Sequence, residues 1–321
     1  MRIRIFCSSV YCDVKKEIIV IYIREILTMK KIGIITDSHS SITKEEAARL
    51  GVTVLPMPFY IGDECYLEDV TLTRDDFFKY LEEGKTVSTS QPSPEDVMNA
   101  WREGLKEYEK ILYIPISSGL SGGCETAQGL ACDSEFEGRV LVVDNGRVST
   151  PSHCAIIDAL NMIDKGYSAE EIKTTLEEYK DKETIYLAVK TLEYLKKGGR
   201  ISPAVALIGT ALNISPVLKL DIGKLDSYKK CRGFVKAKKI MLEAIRNDLE
   251  NRFKDWYEKG EIYLLAASAG TKEETEQWIK EIQAEFPDME VMCDNLSLGV
   301  CCHTGQGALG IGCSCKPILD K

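Results

Sequence analysis

The 321-residue chain has no apolar run near the roughly 18–20 residues that cross a bilayer, so stable membrane insertion is not expected. It has no internal repeat and no low-complexity tract, which excludes solenoids and fibrous classes. It lacks an excess of positive charge: the net charge of −9 argues against nucleic acid as a partner. No Gly-Lys-Ser/Thr follows its glycine-rich loop, so it carries no Walker-type nucleotide site. Cysteine is plentiful, at 12 residues, but no pair of C-x-x-C knuckles has zinc spacing. No export signal is evident. Together these features read as a reducing, cytoplasmic setting in which many thiols act as small hydrophobes. What remains is ordinary globular composition, 44% hydrophobic and 28% charged, with enough length for two domains.

Residues 1–29 read as an extension, either an upstream start artefact or a peripheral segment. From Lys31 strands and helices alternate. Strands are expected at Lys31–Thr36, Val52–Met57, Lys110–Ile116 and Arg139–Asp144, with a hairpin at Phe59–Leu67. Thr43-Lys44-Glu45-Glu46 reads as a capping box, and Ser93-Pro94-Glu95-Asp96 as a capped helix start running to about Tyr108. A helical stretch, Ser152–Lys180, broken near Gly166, leads to further strands at Glu183–Val189, Glu261–Ser268, Met289–Cys293 and Ala308–Cys313. Pro203–Leu212 reads as a very apolar helix, and Asp221-Ile222-Gly223-Lys224 as a hairpin turn. The fold class is α/β: a parallel-sheet N-terminal domain over 30–180 and a mixed-sheet C-terminal domain over 181–321.

Polar clusters stand where strands end, the place where open α/β sheets bind ligands. Asp37, in Thr36-Asp37-Ser38-His39-Ser40, suits a base, a metal ligand or a loop anchor. Thr89 and Ser90 precede the helix entrance at Ser93. Ser118, Ser121 and Gly122 lie in the run 117–123, where glycines let backbone N–H groups approach an anion. His303 lies in His303-Thr304-Gly305-Gln306-Gly307 between flexible glycines. Arg200 follows a Gly-Gly turn, and Arg232 sits in the basic run from Lys229 to Lys239. Cys301, Cys302, Cys313 and Cys315 leave a soft-metal or redox-sensing alternative open. So does an enzyme acting on a phosphorylated small molecule, with Asp37 or His303 as acid or base.

Six of these segments, in order, resemble the DegV family of bacterial lipid-binding proteins. They are Ile34–Ser38, Thr89–Ser93, Ile116–Gly122, Leu195–Ile201, Ile214–Leu218 and His303–Ala308. The resemblance implies a fatty acid held between two α/β domains, with no catalytic residue and no cofactor beyond that ligand. Thr89 and Ser121 would bind its carboxylate. Asp37, Ser90, Ser118, Gly122 and His303 would support them, and the acyl chain would fill an apolar tunnel in the second domain. It further implies a partner, the ATP-binding subunit of a fatty acid kinase. That subunit would phosphorylate the bound carboxylate for phospholipid synthesis and dock near Arg200 and Arg232. Two stretches depart from the family pattern: Gly123-Cys124-Glu125-Thr126-Ala127 replaces the usual Thr-Tyr-Gln-Ser-Ala, and Gly305-Gln306-Gly307 the usual Gly-Pro-Gly. The energetics suit such a ligand. A 16-carbon tail burying ~14 methylenes gains roughly 11 kcal/mol before ordering costs.

Overall fold

Among the described residues three sheets carry the fold, and they divide the work of building one cavity. The computed structural model describes residues 30–202, 216–221 and 224–321. The expectations for the extension, for the apolar helix at 203–212 and for the turn at 222–223 therefore lie outside the described residues.

The first sheet is fully parallel, in the order β2 (Thr53–Leu55), β1 (Lys30–Asp37), β6 (Tyr108–Ile114), β7 (Val140–Val142). Its inner strands are apolar without alternation because both faces are covered. Ile34, Leu112 and Ile114 meet Ala155, Ile156 and Ala159 on one face. Ile35, Ile111 and Tyr113 meet Trp101 and Phe136 on the other.

Helix α1 (Lys44–Leu50) is capped by Thr43, whose Oγ1 accepts from Glu46 N. The reciprocal half of the expected capping box is absent, because the Glu46 carboxylate accepts from Arg49 instead. Helix α2 spans Arg74–Glu82. Helix α3 (Pro94–Gly104) has Ser93 as its cap and Pro94 in its first turn, and ends four residues short of Tyr108, which belongs to β6. Helix α4 (Gly123–Leu130) follows the Ser/Gly loop. Helices α5 (Thr150–Asp164) and α6 (Ala169–Glu178) occupy the expected helical stretch.

A second, antiparallel sheet of three strands, in the order β4 (Glu64–Leu67), β3 (Pro58–Ile61), β5 (Val87–Thr89), contains the expected hairpin and one strand not anticipated. Its core residues Phe59 and Ile61 pack with Leu187, Leu195 and Leu298, so this small sheet from the first half is seated on the second.

The third sheet has six strands, in the order β10 (Lys224–Lys229), β9 (Val217–Asp221), β8 (Glu183–Ala188), β13 (Leu309–Cys315), β11 (Ile262–Ser268), β12 (Val291–Asn295). Among the described strand pairs of this sheet only β11–β12 is parallel, so the sheet is mixed. Between β8 and β9 in sequence lies the short helix α7 (Glu193–Lys197). Helices α8 (Phe234–Asn247), α9 (Lys254–Glu258) and α10 (Lys272–Glu285) follow β10 and β11, and α11 (Leu298–Thr304) precedes β13. Ile240, Met241, Trp278 and Ile282 of α8 and α10 cover the outer face of the sheet with Ile311 and Cys313. The inner face looks towards the N-terminal domain. Helix α5 joins the two: it shares the first sheet's core, Thr150 Oγ1 donates to Ala266 O at 2.8 Å, and His153 Nδ1 lies 3.1 Å from Asp294 Oδ2. Among the described residues no helix is long and apolar enough to cross a membrane.

Candidate functional site

The strand-end loops of the first sheet are held by two carboxylates. Asp37, at the end of β1, is 1% exposed; its Oδ1 accepts from His39 N at 2.9 Å and its Oδ2 from Ile116 N at 2.8 Å. A buried N–H left unpaired is costly, so one side chain that satisfies two of them ties the loop after β1 to the loop after β6. Asp37 is thus a loop anchor, and it sets the imidazole of His39 towards the interior. Asp144 plays the same part for Ser118, accepting from its N at 3.2 Å and its Oγ at 2.6 Å.

Behind these loops lies a cavity of about 220 Å³ between the two domains. Its polar end is formed by His39, Thr89, Ser90, Gln91, Ser121, Gly122, Arg200 and His303. Its apolar side is formed by residues such as Ile116, Leu120, Leu195 and Val300. A second, almost wholly apolar space of about 80 Å³ adjoins it and runs on beneath the third sheet. Val148, Leu187, Leu220, Leu225, Val300 and Thr304 line both.

The polar end has a definite sense of proton donation. Thr89 Oγ1 lies 2.8 Å from His303 Nε2. The other ring nitrogen, Nδ1, is buried with no hydrogen-bond partner among the described residues and rests against Gly198, where an added Cβ would come within 2.0 Å. A proton on Nδ1 would find no acceptor there, so the geometry assigns it to Nε2, which donates to Thr89. Burial first, then the positive charge of Arg200 and the nearby His39, hold the His303 pKa down at about 4, so the ring is neutral at pH 7. Ser121 Oγ accepts from Gly123 N at 3.2 Å. Both hydroxyls thus accept from the protein and keep their own hydrogens for the cavity. The complement of two such hydrogens is an acceptor-only group, and an ionised carboxylate is one.

Of the residues singled out in the sequence, Thr89, Ser90, Ser121, Gly122, Arg200 and His303 line this one cavity. Asp37 stands behind it. Ser118 does not reach it: its hydroxyl is committed to Asp144, and it lines an outer groove of about 530 Å³ shared with Ser121 and Arg200. Arg200 spans the domains, its Nε donating to Leu120 O at 3.2 Å and its guanidinium to Gly198 O at 2.6 Å. Arg232 is exposed before α8 and does not line the cavity.

His303 is not set among flexible glycines. It lies in the last turn of α11, a helix capped by Ser297 Oγ. Sequence reasoning gave no role to His39 and Thr304, and took Gln91 only as a polar group beside Thr89 and Ser90 before the helix entrance. His39 was within reach of the strand-end rule, standing two residues past Asp37. The C-terminal cysteines separate. Cys301 and Cys302 are buried in the core under α11, and Cys313 and Cys315 in the core on the far side of the third sheet. Burial pushes the Cys301 and Cys315 thiols up to about 12. Among the described residues no three His, Cys, Asp or Glu side chains are grouped to hold a metal ion.

Comparison with known proteins agrees with this architecture. The family model described as "Uncharacterised protein, DegV family" matches residues 31–316. A DegV domain-containing protein of Deinococcus radiodurans is 32% identical over 281 residues, covering 87% of this chain and 97% of its own. The structure of a fatty-acid-binding DegV family protein from Thermus thermophilus superposes with a TM-score of 0.78 at 32% identity, over 89% of this chain and 99% of that one. The fatty acid binding protein DegV of Bacillus subtilis does so with a TM-score of 0.77 at 28% identity, over 89% and 100%. With its cavity between a parallel and a mixed sheet, and a match running from the first strand to the last, the chain belongs to the DegV family.

Proposed function

We propose that this protein binds a long-chain fatty acid, with the carboxylate on Thr89 and Ser121 and the chain in the apolar space beyond. The observation that carries the reading is the pair of hydroxyls whose acceptor sides are used by His303 and Gly123, leaving two hydrogens at the mouth of an apolar cavity. The fatty acids bound by structurally similar relatives support it. Asp37 and His303 act as positioning residues. Neutral donors orient the head group without a tight ion pair, which leaves the carboxylate nucleophilic.

The second half of the reading is presentation to a separate ATP-binding kinase, where a carboxylate oxygen attacks the γ-phosphorus and ADP leaves. The groove outside Ser121, bounded by Ser118, Gly119 and Arg200, supports it as the route by which a phosphoryl donor approaches. Exposed Arg232 is proposed as a docking contact of that kinase.

Native mass spectrometry with lipid extraction tests the first half. A co-purifying C14–C18 fatty acid is expected; a ligand-free protein that hydrolyses phosphate esters would overturn it. For the second half, Arg232→Ala is expected to retain lipid but to slow acyl-phosphate formation when kinase and ATP are added. An unchanged rate would remove Arg232 from the interface.

A further inference from the structure

The six-stranded sheet turns one face to the cavity, and strand register lays two rows of residues across it. They are Ile185–Gly312–Leu265 and Leu187–Gly310–Ala267, read from β8 through β13 to β11. In both rows the central strand supplies no side chain. Two glycines on one face, two residues apart, make a trough along β13 between walls of larger residues. The deeper, apolar space of about 80 Å³ lies over this trough, and neither Thr89, Ser121 nor His303 reaches it.

The two glycines have different reasons to be there. A Cβ on Gly312 would come within 2.7 Å of the Thr184 carbonyl oxygen, so the backbone itself requires glycine. Gly310 is under no such demand. Its φ is not positive, and the nearest atoms to an added Cβ, Ala267 Cβ and Tyr186 O, stand at 3.7 Å, ordinary contact. A glycine inside a strand weakens it through backbone entropy and forgoes packing, and it commonly marks close approach of a ligand. At Gly310 the space above the strand is what the missing side chain provides.

We propose that Gly310 sets the longest acyl chain the cavity takes, because the far end of the ligand lies in the trough above it. The inference rests on the fatty-acid reading above and adds its specificity determinant: a side chain at 310 occupies the volume of the last methylenes. Chain length is then read at the end of the cavity remote from the carboxylate.

The test uses the full-length protein stripped of lipid and titrated with saturated C12, C14, C16 and C18 acids. Gly310→Val is expected to keep the wild-type affinity for the C12 acid and to lose about tenfold or more for C18, the contribution of two or so methylenes. Gly310→Ala, which meets only ordinary contacts, is expected to shift the same profile in the same direction by a few-fold, and it decides the matter if the valine variant does not fold. Variants that bind with an unaltered chain-length profile overturn the inference alone. A wild-type protein with no affinity for any of the four acids overturns the fatty-acid reading and the inference together.

Discussion

The two domains enclose one cavity by opposite means. The N-terminal domain offers strand ends: irregular loops crowded with polar atoms and held by the carboxylates of buried Asp37 and half-buried Asp144. The C-terminal domain offers a sheet face: regular strands, satisfied by their own ladder, with side chains left out where space is needed. Loops at strand ends can aim a hydroxyl, but each buried N–H among them must find a partner. A sheet face needs no such partners, yet it can offer only shape. Direction at one end and volume at the other are therefore separable properties, and substitutions should divide the same way.

The largest effect is expected at Asp37, since the loop geometry hangs on it. Asp37→Ala leaves His39 N and Ile116 N unpaired in the interior and should cost about 4 kcal/mol in urea unfolding. A loss below about 1 kcal/mol would mean that the loops hold themselves.

Next comes acid sensitivity. His303 has a folded pKa of about 4, below its ordinary value, so between these values the unfolded chain takes up a proton that the folded one refuses. Its contribution is complete above about pH 6.5, declines as pH falls and levels off below about 4, a loss of about 3 kcal/mol. His303→Gln should remove that slope. If the pH dependence of unfolding is the same in both proteins, the imidazole is not held neutral by burial.

The smallest of the three is ligand affinity. Thr89→Ala with Ser121→Ala should weaken fatty-acid binding about a hundredfold by titration calorimetry. Ser118→Ala, whose hydroxyl faces Asp144, should leave binding unaltered. Equal effects from the two changes would erase the distinction between the cavity and the outer groove.

The same contrast explains what could be read in advance. Ser93 and Pro94 announce a helix start through local chemistry, and the structure has one there. Strand-end clusters at Asp37, Thr89 and Ser121 were visible because loop chemistry is written in consecutive residues. Strand β5 was not, since Val87–Thr89 is short and becomes a strand only by pairing with Phe59–Ile61. Helix α11 escaped notice too: its seven residues, with two cysteines and a glycine among them, are too few to show an amphipathic period, and their helicity comes from packing. Glu46 had the right spacing for a capping box, but Arg49 one turn on competes for its carboxylate. The rows across β13 depend on register between strands more than forty residues apart, and no local pattern records that.

Gly198 does not line the cavity, yet its α-carbon is the wall on which the His303 ring leans. Gly299 stands in the same relation to His39, where an added Cβ would come within 2.5 Å of Nε2. A single methyl at Gly198 would act as a lever. It would push the imidazole off Thr89 and turn the hydroxyl with it, so a change outside the pocket would be felt as a rewiring of its head end. In this protein the backrest of a side chain shapes the head end of the cavity as much as the atoms that face into it.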